Sequence, residues 1–430
     1  MKILHSFTTT FLLLSSTTSA FATAIDIGEG WMLSGDERVG HLIYNYENPD
    51  GDADISRGHK DSQGFYFIPK ISLTSADFNG LHVKLTGAGA TDFGLNDSNK
   101  EQRLFVYGAS KKPFTLLQEA FVEYNSKIHH FLIGRNELVT PMIDADDWYM
   151  LSNSFEVAKY DYKGIKNLTL SAGYFHKMAG VWDSGADGAN FHTMADASFV
   201  SSEDKKNAGD GGVGFGAIDY NKDEHHLQIW NYYATDLYNT LFVQYDYNKK
   251  LDLMSYDFGL QFINFSEIGK LAQNDFTSIN YSICSARFDG TIKGGFGFAT
   301  GISKYTDGDG QGATLGAWGG YPYFANGLIF HFFEAGSLRD ATSYKVQASY
   351  DFDEVGIKNL HFRLRYTLFD LNDKYSTTKD GKPQNYMGMY GGQLKYNFLN
   401  DAYFAGTYET HKVENEPEAY ALRLIGGYRF

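Results

Sequence analysis

Leu360-His361-Phe362-Arg363-Leu364-Arg365-Tyr366-Thr367-Leu368 sets three bases at alternate positions between apolar residues. In an extended strand, residues two apart share a face, so His361, Arg363, Arg365 and Thr367 lie on one side and the apolar set on the other. A row of fixed cationic donors is suited to holding anions and carboxylates. The same parity places Lys345, Gln347 and Ser349 on that face in the segment before, Lys395 in the segment after, and Arg423 and Arg429 in the last one. Near the start of the chain, Lys70 and Ser72 oppose Phe67, Ile71 and Leu73, and His82 and Lys84 oppose Val83 and Leu85. Acids such as Glu119, Glu123, Asp246 and Asp257 share the face of the bases. Two readings stay open: a basic ladder for solutes, or bases neutralised internally.

The elements that must position these residues are strands. Period-2 segments of roughly ten residues recur along the chain, about 18 in all, which is the pattern of a transmembrane barrel. They run near 39–48, 65–74, 81–91, 116–125, 129–138, 155–163, 168–177, 213–221 and 225–235, then 240–248, 253–264, 278–288, 292–305, 344–352, 360–370, 386–398, 402–411 and 420–430. The last has Tyr420, Leu422, Leu424, Tyr428 and Phe430 on one face and Ala421, Arg423, Gly427 and Arg429 on the other. A charge facing lipid at mid-height costs about 2–4 kcal/mol, so the bases are expected to face a watery lumen. The expected fold is all-β, a transmembrane antiparallel barrel of about 18 strands whose first and last strands meet. The bases of both chain ends would then form one wall.

The compartment follows from the two ends. Met1-Lys2, an apolar stretch centred on Phe11 to Leu14, and the small-residue sites Ala20-Phe21-Ala22 and Ala22-Thr23-Ala24 read as a secretory signal peptide over 1–24. Residues 25–430 are expected to form one barrel domain, since no linker or change of composition divides them. No run of about 18 apolar residues follows the signal, so a helical span is not expected and a membrane chain must close as a barrel. Tyr428 and Phe430 resemble the C-terminal signal read by the bacterial barrel assembly machinery. The short segments 161–167, 221–224, 248–250 and 353–359 read as periplasmic turns, and 178–212 and 307–343 as extracellular loops.

Composition agrees: 31 Tyr, 34 Phe and 46 Gly stand against 7 Pro. The formal charge is −15, and loss of Lys2 with the signal makes it −16, which disfavours nucleic acid. Acids in loops, such as Asp50, Asp52, Asp54, Glu203, Asp204, Asp307 and Asp309, make the mouth negative and would enrich cations there. Cys284 stands alone, so no internal disulfide forms. Asp307-Gly308-Asp309 starts like a calcium loop but ends on Trp318 where a bidentate Glu is required. His129-His130 and His225-His226 are adjacent on strands and point to opposite faces, so neither pair suits a metal. No cofactor, metal or catalytic residue is assigned, because no Ser, His and acid gather at one level; Ser349 and His361 lack a carboxylate of known height.

Gly-Ile-Lys-Asn-Leu, at 164–168 and again at 356–360, resembles the G-[IL]-x-[NG]-L hairpins of OprD-type porins. Gly134-Arg135 through Thr140-Pro141, and the continuation Asp147 to Glu156, are similar to that family's G-R-x-x-x-x-[TS]-P and R-x-[LM]-x-x-[NS]-[FY]-x-[AG] patterns. Trp148 and Tyr149 stand near where the family often has Arg. Gly319-Gly320-Tyr321-Pro322-Tyr323-Phe324 resembles its Gly-rich D/Y-P-x-[FY] loop. The resemblance implies a third external loop, about 139–154, folded inward to constrict the pore. It also implies an acidic patch of Asp144, Asp146 and Asp147, beside Trp148 and Tyr149, facing the basic ladder of Lys70, Lys84, Lys345, Arg363, Arg365, Lys395, Arg423 and Arg429. Opposed charges across a narrow passage orient zwitterions and filter ions.

The resemblance implies passive, partly selective diffusion of small hydrophilic solutes: amino acids, small peptides, carboxylates and ions. A non-conducting adhesive barrel and, further off, a barrel enzyme are the alternatives. Expected partners are outer-membrane lipid, lipopolysaccharide, the assembly machinery and small solutes; monomer and homotrimer both stay open. A weak net cation preference is expected, with mouth and wall opposing each other.

Overall fold

The computed structural model describes residues 24–47, 62–96, 112–147, 150–180, 189–273, 277–330, 335–398 and 401–430. The signal segment before residue 24, the Asp50-Asp52-Asp54 loop, Trp148 and Tyr149 lie outside the described residues. A closed barrel of 18 antiparallel strands forms. In chain order they are β1 Trp31–Glu47, β2 Ser62–Ile68 continued by Lys70–Thr74, β3 Leu81–Ala90, β4 Phe114–Asn125, β5 His129–Asn136, β6 Ser154–Ile165, β7 Leu168–Ala179, β8 Val213–Lys222 and β9 His225–Ala234. Then follow β10 Tyr238–Lys250, β11 Met254–Glu267, β12 Asn280–Ile292, β13 Phe296–Tyr305, β14 Thr342–Asp351, β15 Leu360–Asp370, β16 Tyr386–Asn397, β17 Ala402–Val413 and β18 Glu418–Arg429. Each expected strand is present. β1 begins well before Val39, which brings Asp36 and Arg38 onto the barrel wall.

Each strand pairs with its sequence neighbours, and β1 closes on β18 in a register running from Asp36 opposite Arg429 to Glu47 opposite Glu418. Gly35 and Phe430 exchange backbone hydrogen bonds of 2.8 and 3.2 Å at the seam. Closure leaves no open edge, the condition for a sheet in hydrocarbon. Pro69 has no N–H to give the ladder and divides β2, while its carbonyl still accepts from Gly89. Parity reads through: on β15 Leu364 and Tyr366 are 52% and 45% exposed to the outside, and Thr367 between lumen contacts is 0% exposed.

Turn chemistry sorts the two ends. Asn167 and Asn359, the Asn of both Gly-Ile-Lys-Asn-Leu segments, adopt φ 63°, and Asp223 adopts 52°. Asn and Asp enter this left-handed region more readily than other side chains, so such residues mark tight reversals. These turns share one end of the barrel with the start of β1 and the end of β18. The long connections 137–153 (L3), 180–212 (L4) and 306–341 (L7) emerge at the other end. Parts of all three turn into the lumen and pack there, burying Ile143, Met150, Met194, Leu315, Trp318 and Phe330. The Trp318 indole stacks on Tyr238 at 5.4 Å and its Nε1 donates to the Met194 carbonyl at 2.9 Å.

Candidate functional site

Strands β14 to β18 and β1 carry the basic wall. Gln347 on β14 faces Arg365 on β15 and accepts from its Nε and Nη2 at 3.0 and 2.8 Å. The remaining Arg365 nitrogen donates to the Gly327 and Asn326 carbonyls of L7 at 2.7 and 3.2 Å, so this guanidinium is a loop anchor. Arg363 lies between Ser349 and Gln393 in register, and Lys395 lies opposite His361. Among the described residues, Arg363 and Lys345 have no carboxylate within ion-pair distance. Arg429 lies 4.5 Å over the Tyr403 ring, with Asp36 at 3.6 Å. Lys70 and Lys84 are both neutralised, by Glu137 at 2.6 Å and Glu119 at 2.7 Å. For these two the internal-pairing reading describes the geometry.

L3 docks on this wall. Asp147 Oδ2 meets Arg38 Nη1 at 2.8 Å, and the Asp147 carbonyl accepts from Arg423 at 3.3 Å. The same Arg38 nitrogen donates to the Met150 carbonyl at 3.1 Å, while Asp36 holds the other side of the guanidinium at 2.8 Å. Gly40 on β1 leaves the room Met150 needs, since a Cβ there would lie 2.6 Å from its sulfur. Asp144 points elsewhere: its N–H donates to the Trp318 carbonyl at 3.0 Å and its Oδ1 is buried with no hydrogen-bond partner. Burial, then the charges of Asp146 and Asp147, push the Asp144 carboxyl well above the usual carboxylate range. Asp144 and Asp147 therefore do not present a common face to the bases. Arg38 is a functional candidate that the sequence reading passed over; extending the alternation of β1 back past Val39 would have found it.

L7 is clamped from below. The Glu409 carboxylate on β17, fully buried, accepts from the backbone N–H of Leu328, Ile329 and Phe330 at 2.6 Å each. Ile143 of L3 bridges to Trp318 and Gly319, so L3 and L7 form one constricting unit. Asp307 and Asp309 bind Arg339 at the exposed tip of L7, the use the structure makes of the calcium-like motif.

Acids facing the basic wall come from the barrel itself. Arg287 on β12 is buried among Asp246 and Asp257, both at 2.7 Å, and Asp289 at 3.5 Å, with the Phe324 ring of L7 at 4.9 Å. Asp246 and Asp257 exceed the single guanidinium between them, while Asp289 lies two strands from Gln347 and borders the basic wall. Asp246 on β10 and Lys395 on β16 have five strands between them around the barrel. A charge gradient thus runs across the lumen, set by strands β8–β12 and β14–β1, with the L3–L7 unit between.

The family model for "outer membrane porin, OprD family" matches residues 120–425. The chain belongs to the OprD family of outer membrane porins. No curated protein matches it in sequence. Solved porins share the fold of this OprD-family chain: OccK9 (OpdG) of Pseudomonas aeruginosa, 14% identical, covers 94% of this chain and 98% of its own with a TM-score of 0.77. OccAB4 of Acinetobacter baumannii is 15% identical over 93% and 98%, TM-score 0.74. A BenF-like porin from Pseudomonas fluorescens Pf-5 is 16% identical over 94% and 99%, TM-score 0.72. The OprD-family porin described here is accordingly an outer-membrane protein of a family of channels.

Proposed function

We propose that this OprD-family porin passes small hydrophilic solutes that carry a carboxylate, zwitterionic amino acids and short peptides among them, by passive diffusion past the L3–L7 constriction. The observation that carries the reading is the pair Arg363 and Lys345, which face the lumen without a neutralising carboxylate among the described residues, while the opposite wall is net negative. A solute carboxylate engages Arg363, a guanidinium being able to hold it through two parallel hydrogen bonds. A solute ammonium is drawn to the Asp246, Asp257 and Asp289 face. Release requires that both contacts stay weak, and the carboxylates are already partly engaged by Arg287. Asp144, Asp146 and Asp147 serve mainly to seat L3. The assembly signal at Tyr428 and Phe430, and removal of 1–24 on export, complete the proposal.

Liposome swelling tests it. Purified protein in vesicles should admit glycine, glutamate, lysine and small peptides faster than neutral sugars of equal size. Equal rates for charged and neutral solutes of one size would show a plain size filter and overturn the selectivity.

A further inference from the structure

The short-turn mouth of the barrel carries a feature that the constriction does not use. His82, His130, His226 and His361 are each the second residue of an outward-running strand, β3, β5, β9 and β15, and each faces the lumen. Each is set against acid. His82 lies 3.9 Å from Asp77 of the preceding turn and opposite Glu123 of β4 in register. His130 Nε2 meets Glu123 at 2.6 Å and its Nδ1 meets Asp161 of β6 at 2.7 Å, with Lys159 at 2.6 Å from the same Asp161 oxygen. His226 Nε2 meets Asp219 of β8 at 2.8 Å, its Nδ1 lies 3.9 Å from Asp246 of β10, and Asp257 of β11 also faces it. His361 Nδ1 lies 3.6 Å from Asp351 of β14 and opposite Lys395 of β16. Lys84 shares the β3 face but is held by Glu119, Arg363 shares the β15 face, and Arg287 binds the far side of Asp246.

We propose that these four histidines and their carboxylates form a collar at the periplasmic mouth that sets ion selectivity according to periplasmic pH. His130 shows the chemistry most plainly. Both ring nitrogens face carboxylate oxygens, and only an imidazolium can donate to both at once. Imidazoles change charge between about pH 5 and 8, a range in which an ordinary carboxylate is ionised. In the neutral-ring state Asp77, Glu123, Asp161, Asp219, Asp246 and Asp351 exceed the two cations paired with them, Lys159 and Arg287, and the mouth concentrates cations. Protonation adds positive charge at each of the four rings around the short-turn mouth and removes that advantage. The basic wall higher in the lumen then weighs more against the carboxylates around Arg287, so acid favours anionic solutes. Position decides which side controls it: the collar equilibrates with the bath at the short-turn end, with the L3–L7 unit between it and the other bath.

The inference rests on the open-pore reading, and one experiment separates the two. Protein inserted in one orientation in a planar bilayer is held under a KCl gradient, and the reversal potential is read as each bath in turn is taken from about pH 8 to about pH 5.5. Acid at the short-turn side should move the reversal potential toward anions, while acid at the loop side leaves it nearly fixed. The variant His82→Gln/His130→Gln/His226→Gln/His361→Gln should lose the response, and His41→Gln, on the lipid face of β1, should keep it. Equal responses to acid on the two sides, or a full response in the fourfold variant, would overturn the collar. If that variant does not fold, the one-sided acid test on the unaltered protein still decides. No conductance at all would refute the pore reading instead.

Discussion

Replacing Glu409 with alanine should release L7 and widen the pore. The carboxylate is fully buried and takes three backbone N–H groups at 2.6 Å. A hydrogen bond to a charged group contributes about 1.5–3 kcal/mol, which puts the three together near 4.5 kcal/mol at the low end. The low end applies, because burying the charge offsets part of the gain. Arg365 still holds the Asn326 and Gly327 carbonyls, so L7 keeps one tether. At about 1.4 kcal/mol per factor of ten, the ratio of docked to undocked loop falls roughly a thousandfold. Single-channel recording reads this directly: the alanine variant should show larger, noisier steps than the unaltered protein. Glu409→Gln, which keeps an acceptor oxygen and the shape, should fall between them. A folded Glu409→Ala barrel with unchanged step size and noise would refute the clamp.

Arg38→Ala removes the bonds to Asp147 and the Met150 carbonyl, about 3 kcal/mol together, and should raise conductance by loosening L3; Arg38→Lys, a point charge without the planar fork, should restore it only in part. Single-channel steps equal to the unaltered protein's would count against L3 docking. Asp144→Asn tests the buried acid. A carboxyl whose folded-state pKa is raised takes up a proton on folding, so stability falls as pH rises from the ordinary carboxylate value to the raised one. The asparagine variant escapes that loss, and its melting midpoint by heat-modifiable gel mobility should exceed the unaltered protein's at neutral pH, with the difference vanishing in acid. Lys345→Gln/Arg363→Gln removes the two unneutralised bases and should lower anion relative to cation permeability by about tenfold at low salt. Reversal potentials under a salt gradient measure it, and no change would remove these residues from the permeation path.

Strand positions were legible because lipid outside and water inside impose a period of two on every strand. The same period put Lys70, Lys84, Lys345, Arg363, Arg365 and Lys395 on the non-lipid face, and the structure sets Lys70 on Glu137, Lys84 on Glu119 and Arg365 on Gln347. Arg287 was as accessible to this reasoning, lying two residues past Ser285 on a regular strand, but was not singled out. The loops followed no period. That Asp147 turns to Arg38, 109 residues away, and that Glu409 clamps L7, 79 to 81 residues away, are contacts between an irregular segment and a wall. No local signal in the sequence encodes such pairings. The resemblance placed L3 and flagged 319–324, yet the side that each Asp of L3 presents depended on Gly40 making space for Met150 and on Trp318 bridging L4 and L7. Partnering also separated the bases: parity made Lys84 and Arg363 equal, and only the fold shows one neutralised and the other not.

The central claim, a water-filled lumen biased toward charged small solutes, is tested most directly by reconstituting the protein in a planar lipid bilayer and recording single channels with glutamate, lysine, arginine and short peptides as competitors. Discrete conductance steps that are interrupted in a concentration-dependent way by one of these classes, and not by neutral sugars, are the predicted result. Correctly folded barrels that give no steps, or steps that no charged solute perturbs, would contradict it.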